Sequence, residues 1–286
     1  SALVVPPAVA AMLFAMIGVK GGRDPEAPSP DWVGGALATV GLGLLVWGLT
    51  LATSGGEHGS NYVVGGLVSA AGFLWWERRL GDRAMVPVSL FGTARFSALT
   101  FLTFLLYAAL SGVLLLPPYL LISTGWCATS AGTALLPLPV IMALGSRSAG
   151  AFSERVGPHW LLAAGSAITG IGFGLMWMIP GEQIDYLRHV LPPMSLVGIG
   201  MTMAVAPLTT AAIAAVDQHH AGAASGVNSA TARIGGMVAV SLIGLVLTGG
   251  GSGVSIDAYH AATWAAAAVT IIAGIAGWFS APRAQS

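Results

Sequence analysis

The residues best placed for chemistry sit in one short turn, Gly150-Ala-Phe-Ser-Glu154-Arg155-Val-Gly157-Pro158-His159. An acid beside an arginine, flanked by glycines, suits charge pairing between helices rather than bond making. Glycines let two helices approach, and Glu154 and Arg155 can each meet an opposite charge or a helix terminus on a neighbour. Together with Arg147 just upstream, such a turn can hold one conformation closed as a gate. The plainer reading is a turn that needs only its arginines to fix orientation, and of the two the gate is favoured. Bond-making signatures are missing. The single lysine, Lys20, is followed by Gly21, so no phosphate-cradling glycine-lysine-serine loop exists, and neither Gly-x-Ser-x-Gly nor His-Glu-x-x-His occurs. Cys127, the only cysteine, excludes an internal disulfide and a multi-thiolate metal site and reads as a small packing residue. No enzyme, metal or cofactor is expected.

The elements that must position these residues are apolar helices. The chain is 55% hydrophobic and 8% charged with a formal net charge of zero, which leaves no electrostatic footprint for nucleic acid. Nine mostly apolar runs, at about 3–19, 32–53, 61–76, 96–122, 129–149, 159–179, 190–212, 224–248 and 259–279, are each near the ~20 residues that cross a bilayer. Ser1 in place of a methionine, and an odd number of spans, lead us to expect a fragment. Lys20, Arg23, Arg78, Arg79, Arg83, Arg95, Arg147, Arg155 and Arg283 fall in alternate connections and the C-terminal tail, whereas the other loops hold only Arg188. The basic side is therefore expected to be cytoplasmic, and the C-terminus with it. Met85 to Phe96 reads as a short amphipathic segment on that face, separating three spans from six more.

All eleven Asp and Glu residues fall in loops or at helix ends. A proton-coupled carrier needs a titratable group inside the membrane, so any coupling is expected to depend on acids outside this chain. His219 and His220 could sense pH near neutrality, but a solvated loop pair is the plainer account. Pro117, Pro118, Pro137, Pro139 and Pro207 interrupt apolar runs, and hinges or fixed kinks explain them about equally well. Gly170, Gly172 and Gly174 are expected at a helix contact.

The Gly150–His159 turn resembles the loop signature of the major facilitator superfamily, with His159 where the family has Lys or Arg. The resemblance extends through Asp31-Trp32-Val-Gly34, Pro87-Val-Ser-Leu90-Phe91, Leu116-Pro117-Pro118-Tyr119-Leu120, Gly132-Thr-Ala-Leu-Leu-Pro137 and Gly222-Ala-Ala-Ser-Gly226-Val-Asn228 with Arg233-Ile-Gly235-Gly236. In order and spacing these are similar to the fourteen-helix drug:proton antiporter branch. The resemblance implies an all-α polytopic membrane fold: the last helix of an N-terminal bundle (1–20), two linker helices (21–82), a cytoplasmic segment (83–95) and a six-helix C-terminal bundle (96–286). The first five helices of such a carrier would be missing.

The family's fold places the fourth and seventh spans around a central cavity, which implies cavity roles for Tyr107, Ser111, Tyr119, Met201 and Thr202. Adaptable methionines and aromatic rings suit varied apolar or cationic compounds. Asn228 and Arg233, in the first turns of the eighth span, join that set; for Arg233, snorkelling to the interface is an equal alternative. The implied activity is proton-coupled efflux of small amphipathic compounds across a bacterial inner membrane, with substrate, protons and lipid as partners. A carrier of one metabolite, or a non-transporting scaffold or sensor, uses the same helices and remains open.

Overall fold

A computed structural model describes Val9, Met12, Leu13 and residues 31–53, 58–81, 84, 86–181, 183–248 and 256–280, with the side chains of Thr53, Val88, Glu154 and residues 244–248 outside that description. The chain divides into two compact units, Ser1–Asp31 and Trp32–Ser286. In the first, Val9, Met12 and Leu13 are helical and exposed. The rest of the span expected over 3–19, with Lys20 and Arg23, lies outside the described residues, as do Arg83 and Arg283.

Among the described residues the second unit consists of helices joined by short turns, with no strand. Its helices are α1 (Trp32–Thr53), α2 (Gly59–Leu80), α3 (Ala94–Leu114), α4 (Leu116–Ser123), α5 (Ala128–Thr133), α6 (Pro137–Val156), α7 (Pro158–Leu175), α8 (Leu191–Ile213), α9 (Ala221–Thr248) and α10 (Ile256–Ser280). Helix satisfies every backbone donor and acceptor within one segment, which a lipid environment demands. Prolines mark where helices restart. Pro117 and Pro118 follow a break at Leu115 and open α4, while Pro137 opens α6 after the turn Ala134–Leu136. In a first turn the missing N–H removes no hydrogen bond. The runs expected at 96–122 and 129–149 are thus each two helices end to end. Pro207 stands inside α8, which continues on both sides of it.

Six helical stretches are long and apolar enough to cross a membrane: Trp32–Ala52, Ala94–Ser123, Ala128–Ser153, Pro158–Met178, Tyr186–Ile213 and Ile256–Ser280. The expected runs 61–76 and 224–248 are α2 and α9, 22 and 28 residues long. Both have the length, but Glu77, Arg78 and Arg79 on α2, and Asn228, Arg233 and many Gly, Ser and Ala residues on α9, dilute their apolar character. The protein is a multi-pass, all-α membrane protein.

Small residues set the packing. α8 contacts both α6 and α7, α10 lies against α7 and α3, α9 against α3, and the α1–α2 hairpin against α9. A Cβ on Gly165 of α7 would stand 2.6 Å from the Gly200 carbonyl of α8, and one on Gly172 would stand 2.7 Å from a Val197 methyl. Of the expected glycine contact, Gly172 meets α8 and Gly170 meets Ile271 of α10, whereas Gly174 faces open space. The aliphatic core runs along these seams, with Leu99, Leu162, Phe173, Met194 and Ala204 all fully enclosed.

The stretch expected as a short amphipathic segment, Met85 to Phe96, holds among its described residues a 3-10 turn and the start of α3. Val88–Gly92 is a single 3-10 turn whose Leu90 packs with Phe96, Ala224 and Val227, while Phe91 meets Phe96 edge-on at 5.5 Å. The turn is tied down by Glu77: its Oε2 accepts the Val86 N–H at 2.9 Å, and the residue is 1% exposed. Glu77 lies at a helix end, as the sequence indicated, yet it is buried. Glu77→Ala should lower the melting temperature of the detergent-solubilised protein, by about 2 kcal/mol of lost hydrogen bonding to a charged group, while Glu77→Gln, which keeps an acceptor, should cost less. Equal melting for the two variants would contradict this role.

Candidate functional site

Three helices frame a cleft of about 620 Å³ that mixes polar and apolar side chains. α1 contributes Val46 and Thr50, α3 contributes Tyr107 and Ser111, and α9 contributes Ser229, Ala232, Arg233, Gly236, Met237, Val240 and Ser241. Each helix does so through residues four apart, the spacing that puts side chains on one helical face. The stripe Ser229, Arg233, Met237 and Ser241 therefore winds slowly along one side of α9. Gly236 keeps the wall thin: a Cβ there would sit 2.6 Å from Ser111 Oγ.

The cleft carries hydroxyls, one phenol and one guanidinium, and among the described residues no carboxylate lines it. Arg233 is exposed within it and has no ion-pair partner among the described residues. At 1.5 Å per residue Arg233 lies about 18 Å along α9 from its start at Ala221. It does not stand in the first turns of its helix, as the sequence suggested, because α9 begins at Ala221.

Of the seven residues assigned to a cavity, the structure brings Tyr107, Ser111 and Arg233 together. The other four lie elsewhere. Met201 is fully buried in the core beside Met194 and Val197. Thr202 donates to the Gly198 carbonyl at 2.7 Å, and its methyl fills the space above Gly145. Both sit on covered faces of α8, a helix that elsewhere exposes Ile199 and Thr210. Asn228 is buried and accepts a hydrogen bond from Thr103 at 2.7 Å, joining α9 to α3. Tyr119, on α4 beyond the Leu115 break, is 48% exposed and does not line the cleft. Val46 and Thr50 of α1 were not anticipated, because nothing local in that run shows that α1 packs against α9. The α9 stripe was legible in principle from its four-residue spacing.

At the other candidate site, Gly157 terminates α6 with φ +96°, a conformation that favours glycine, and its N–H donates to Ser153 O at 2.9 Å. Gly150 makes no close approach, since a Cβ there would meet nothing within 4 Å. Arg147 and Arg155 are exposed and form no ion pair among the described residues, and the Glu154 side chain lies outside them. His159 is buried, edge-on to Trp278 at 5.1 Å, with Trp160 and Trp278 crossing at 4.4 Å. That position is therefore an aromatic clasp between α7 and α10 and not a free basic head. Among the described residues no group of three His, Cys, Asp or Glu could hold a metal ion.

No family model matches the chain. It is 30% identical to the probable actinorhodin transporter of Streptomyces coelicolor over 253 residues, 86% of this chain and 44% of that protein. A multidrug resistance protein B homolog of Mycobacterium tuberculosis is 24% identical over 249 residues, covering 85% of this chain and 46% of the relative. The cephamycin export protein of Amycolatopsis lactamdurans is 29% identical over 237 residues, 78% of this chain and 46% of the relative. Further relatives in Mycobacterium tuberculosis are named MFS-type transporters. The chain spans less than half the length of each of these relatives. These relatives are named for transport and export rather than for catalysis, and with its all-α, multi-pass fold the chain belongs to the major facilitator superfamily.

Proposed function

We propose that the chain is the C-terminal portion of a proton-coupled drug exporter of the fourteen-helix branch, working by alternating access. Residues 1–20 would then close the N-terminal bundle, 21–82 would be the linker helices, 83–95 a cytoplasmic connection and 96–286 the C-terminal bundle. The observation that carries this reading is the cleft between α1, α3 and α9, in which Tyr107, Ser111 and Arg233 stand beside an apolar wall. An ionisable residue inside a bundle of apolar helices marks a substrate or ion pathway by default. Arg147, Gly150, Glu154, Arg155 and Gly157 form the cytoplasmic gate, and the breaks before Pro117 and Pro137 are where the helices flex. The coupling carboxylates belong to the other bundle. In everted vesicles holding the complete protein, a transported compound should drive proton movement that an uncoupler abolishes. Compound movement indifferent to the uncoupler would remove proton coupling, and no movement of any compound would favour a scaffold or sensor.

In a bacterial inner membrane with a cytoplasmic C-terminus, the loop between α4 and α5 faces outward. Cys127 in that loop is exposed, with its Sγ 3.1 Å from Ser130 Oγ, and this hydrogen bond holds the thiol below its ordinary pKa. A membrane-impermeant maleimide added to intact cells should label Cys127. Ser130→Ala should raise the thiol pKa and so slow labelling near neutral pH, where less thiolate is present. Labelling only after permeabilisation would reverse the orientation.

A further inference from the structure

Arg233 is the only full charge among the residues lining the cleft, and no acid answers it among the described residues. It stands about 18 Å along α9 from Ala221, on the face of that helix that opens to the cleft. Around it stand the Tyr107 phenol and the Ser111 and Ser229 hydroxyls, all able to donate a hydrogen bond. Val46, Met237 and Val240 supply an apolar surface beside this polar group. A planar guanidinium pairs two-pronged with a carboxylate, and neighbouring hydroxyls complete the remaining oxygen lone pairs.

We infer that the cleft selects compounds with an anionic head, a carboxylate or an equivalent oxyanion, on an apolar body, and that Arg233 is the residue that reads the charge. This rests on taking the cleft as the binding site of the exporter proposed above. It departs from the expectation of a pocket for apolar or cationic compounds: a cation placed here meets a positive charge and no acid from the described lining.

The test uses the complete protein in lipid nanodiscs and two fluorescent probes, pyrenebutyrate and its methyl ester, which share a body and differ in charge. The acid should bind more tightly than the ester. Arg233→Gln should weaken the acid at least ~10-fold, the usual loss for a charge-assisted hydrogen bond, while changing the ester less than ~2-fold. Arg233→Lys, which keeps the charge and loses the fork, should restore part of the preference. Should Arg233→Gln fail to fold, Tyr107→Phe removes one donor and should weaken only the acid. Equal affinity of the wild type for both probes, or equal weakening by the variants, would overturn the inference. Charge-selective binding without export would sink the exporter reading alone, and export of both probes with equal affinity would sink this one alone.

Discussion

Gly165→Leu should abolish recovery of folded protein. The first atom added to Gly165 would lie 2.6 Å from the Gly200 carbonyl and 2.8 Å from the Ala204 nitrogen, both in the α8 backbone. Backbone atoms cannot turn aside as a side-chain tip can, so α7 and α8 would have to separate along the seam that also holds Gly172 against Val197. Overpacking of this kind costs about 3 kcal/mol or more, a large part of the 5–15 kcal/mol that typically holds a folded protein together. Gly174→Leu, on the same helix with nothing within 4 Å of its Cβ, is the control and should be recovered normally. The readout is the monodisperse fraction on gel filtration after detergent extraction. If the two variants behave alike, the α7–α8 contact is not the one described.

Tyr107→Ala should lower export by the complete protein at least ~10-fold at an unchanged protein level, since truncating an aromatic anchor in a binding cleft commonly costs about 2 kcal/mol or more. Tyr107 is half-buried and forms one wall of the cleft together with Ser111, so the change removes both apolar area and a hydrogen-bond donor. Tyr119→Ala provides the contrast. The sequence alone gives these two tyrosines the same role, but Tyr119 is 48% exposed and outside the cleft, and its loss should change export less than ~2-fold. Export rates in cells matched for expression decide the matter. A larger loss at Tyr119 than at Tyr107 would place the substrate path along α4 instead.

Much of the fold was legible because a bilayer imposes a simple code. Runs of about 20 apolar residues became helices, and Pro117 and Pro137 fell where helices restart. What escaped were facts of tertiary contact. The sequence could not show that Gly170 and Gly172 serve different partner helices, which lie far along the chain, nor that the chain after α2 turns back so that Glu77 holds Val86 nine residues on. The candidate site was readable by half. Tyr107, Ser111 and Arg233 are polar or aromatic residues inside apolar runs, which is itself the signal. Thr202 and Asn228 give the same signal for another reason: one bonds its own helix and the other glues α9 to α3. Telling a lining hydroxyl from a bonded one requires knowing which face of each helix is covered.

The claim on which the functional reading depends is that the cleft between α1, α3 and α9 holds the transported compound. Ser111→Cys on a Cys127→Ser background places a single thiol in its wall. With the complete protein in membranes, labelling of that thiol by a water-soluble maleimide should slow in proportion to the concentration of an exported compound, and a non-exported analogue should have no effect. Labelling that proceeds at the same rate with the exported compound present at saturation would show that the compound binds elsewhere.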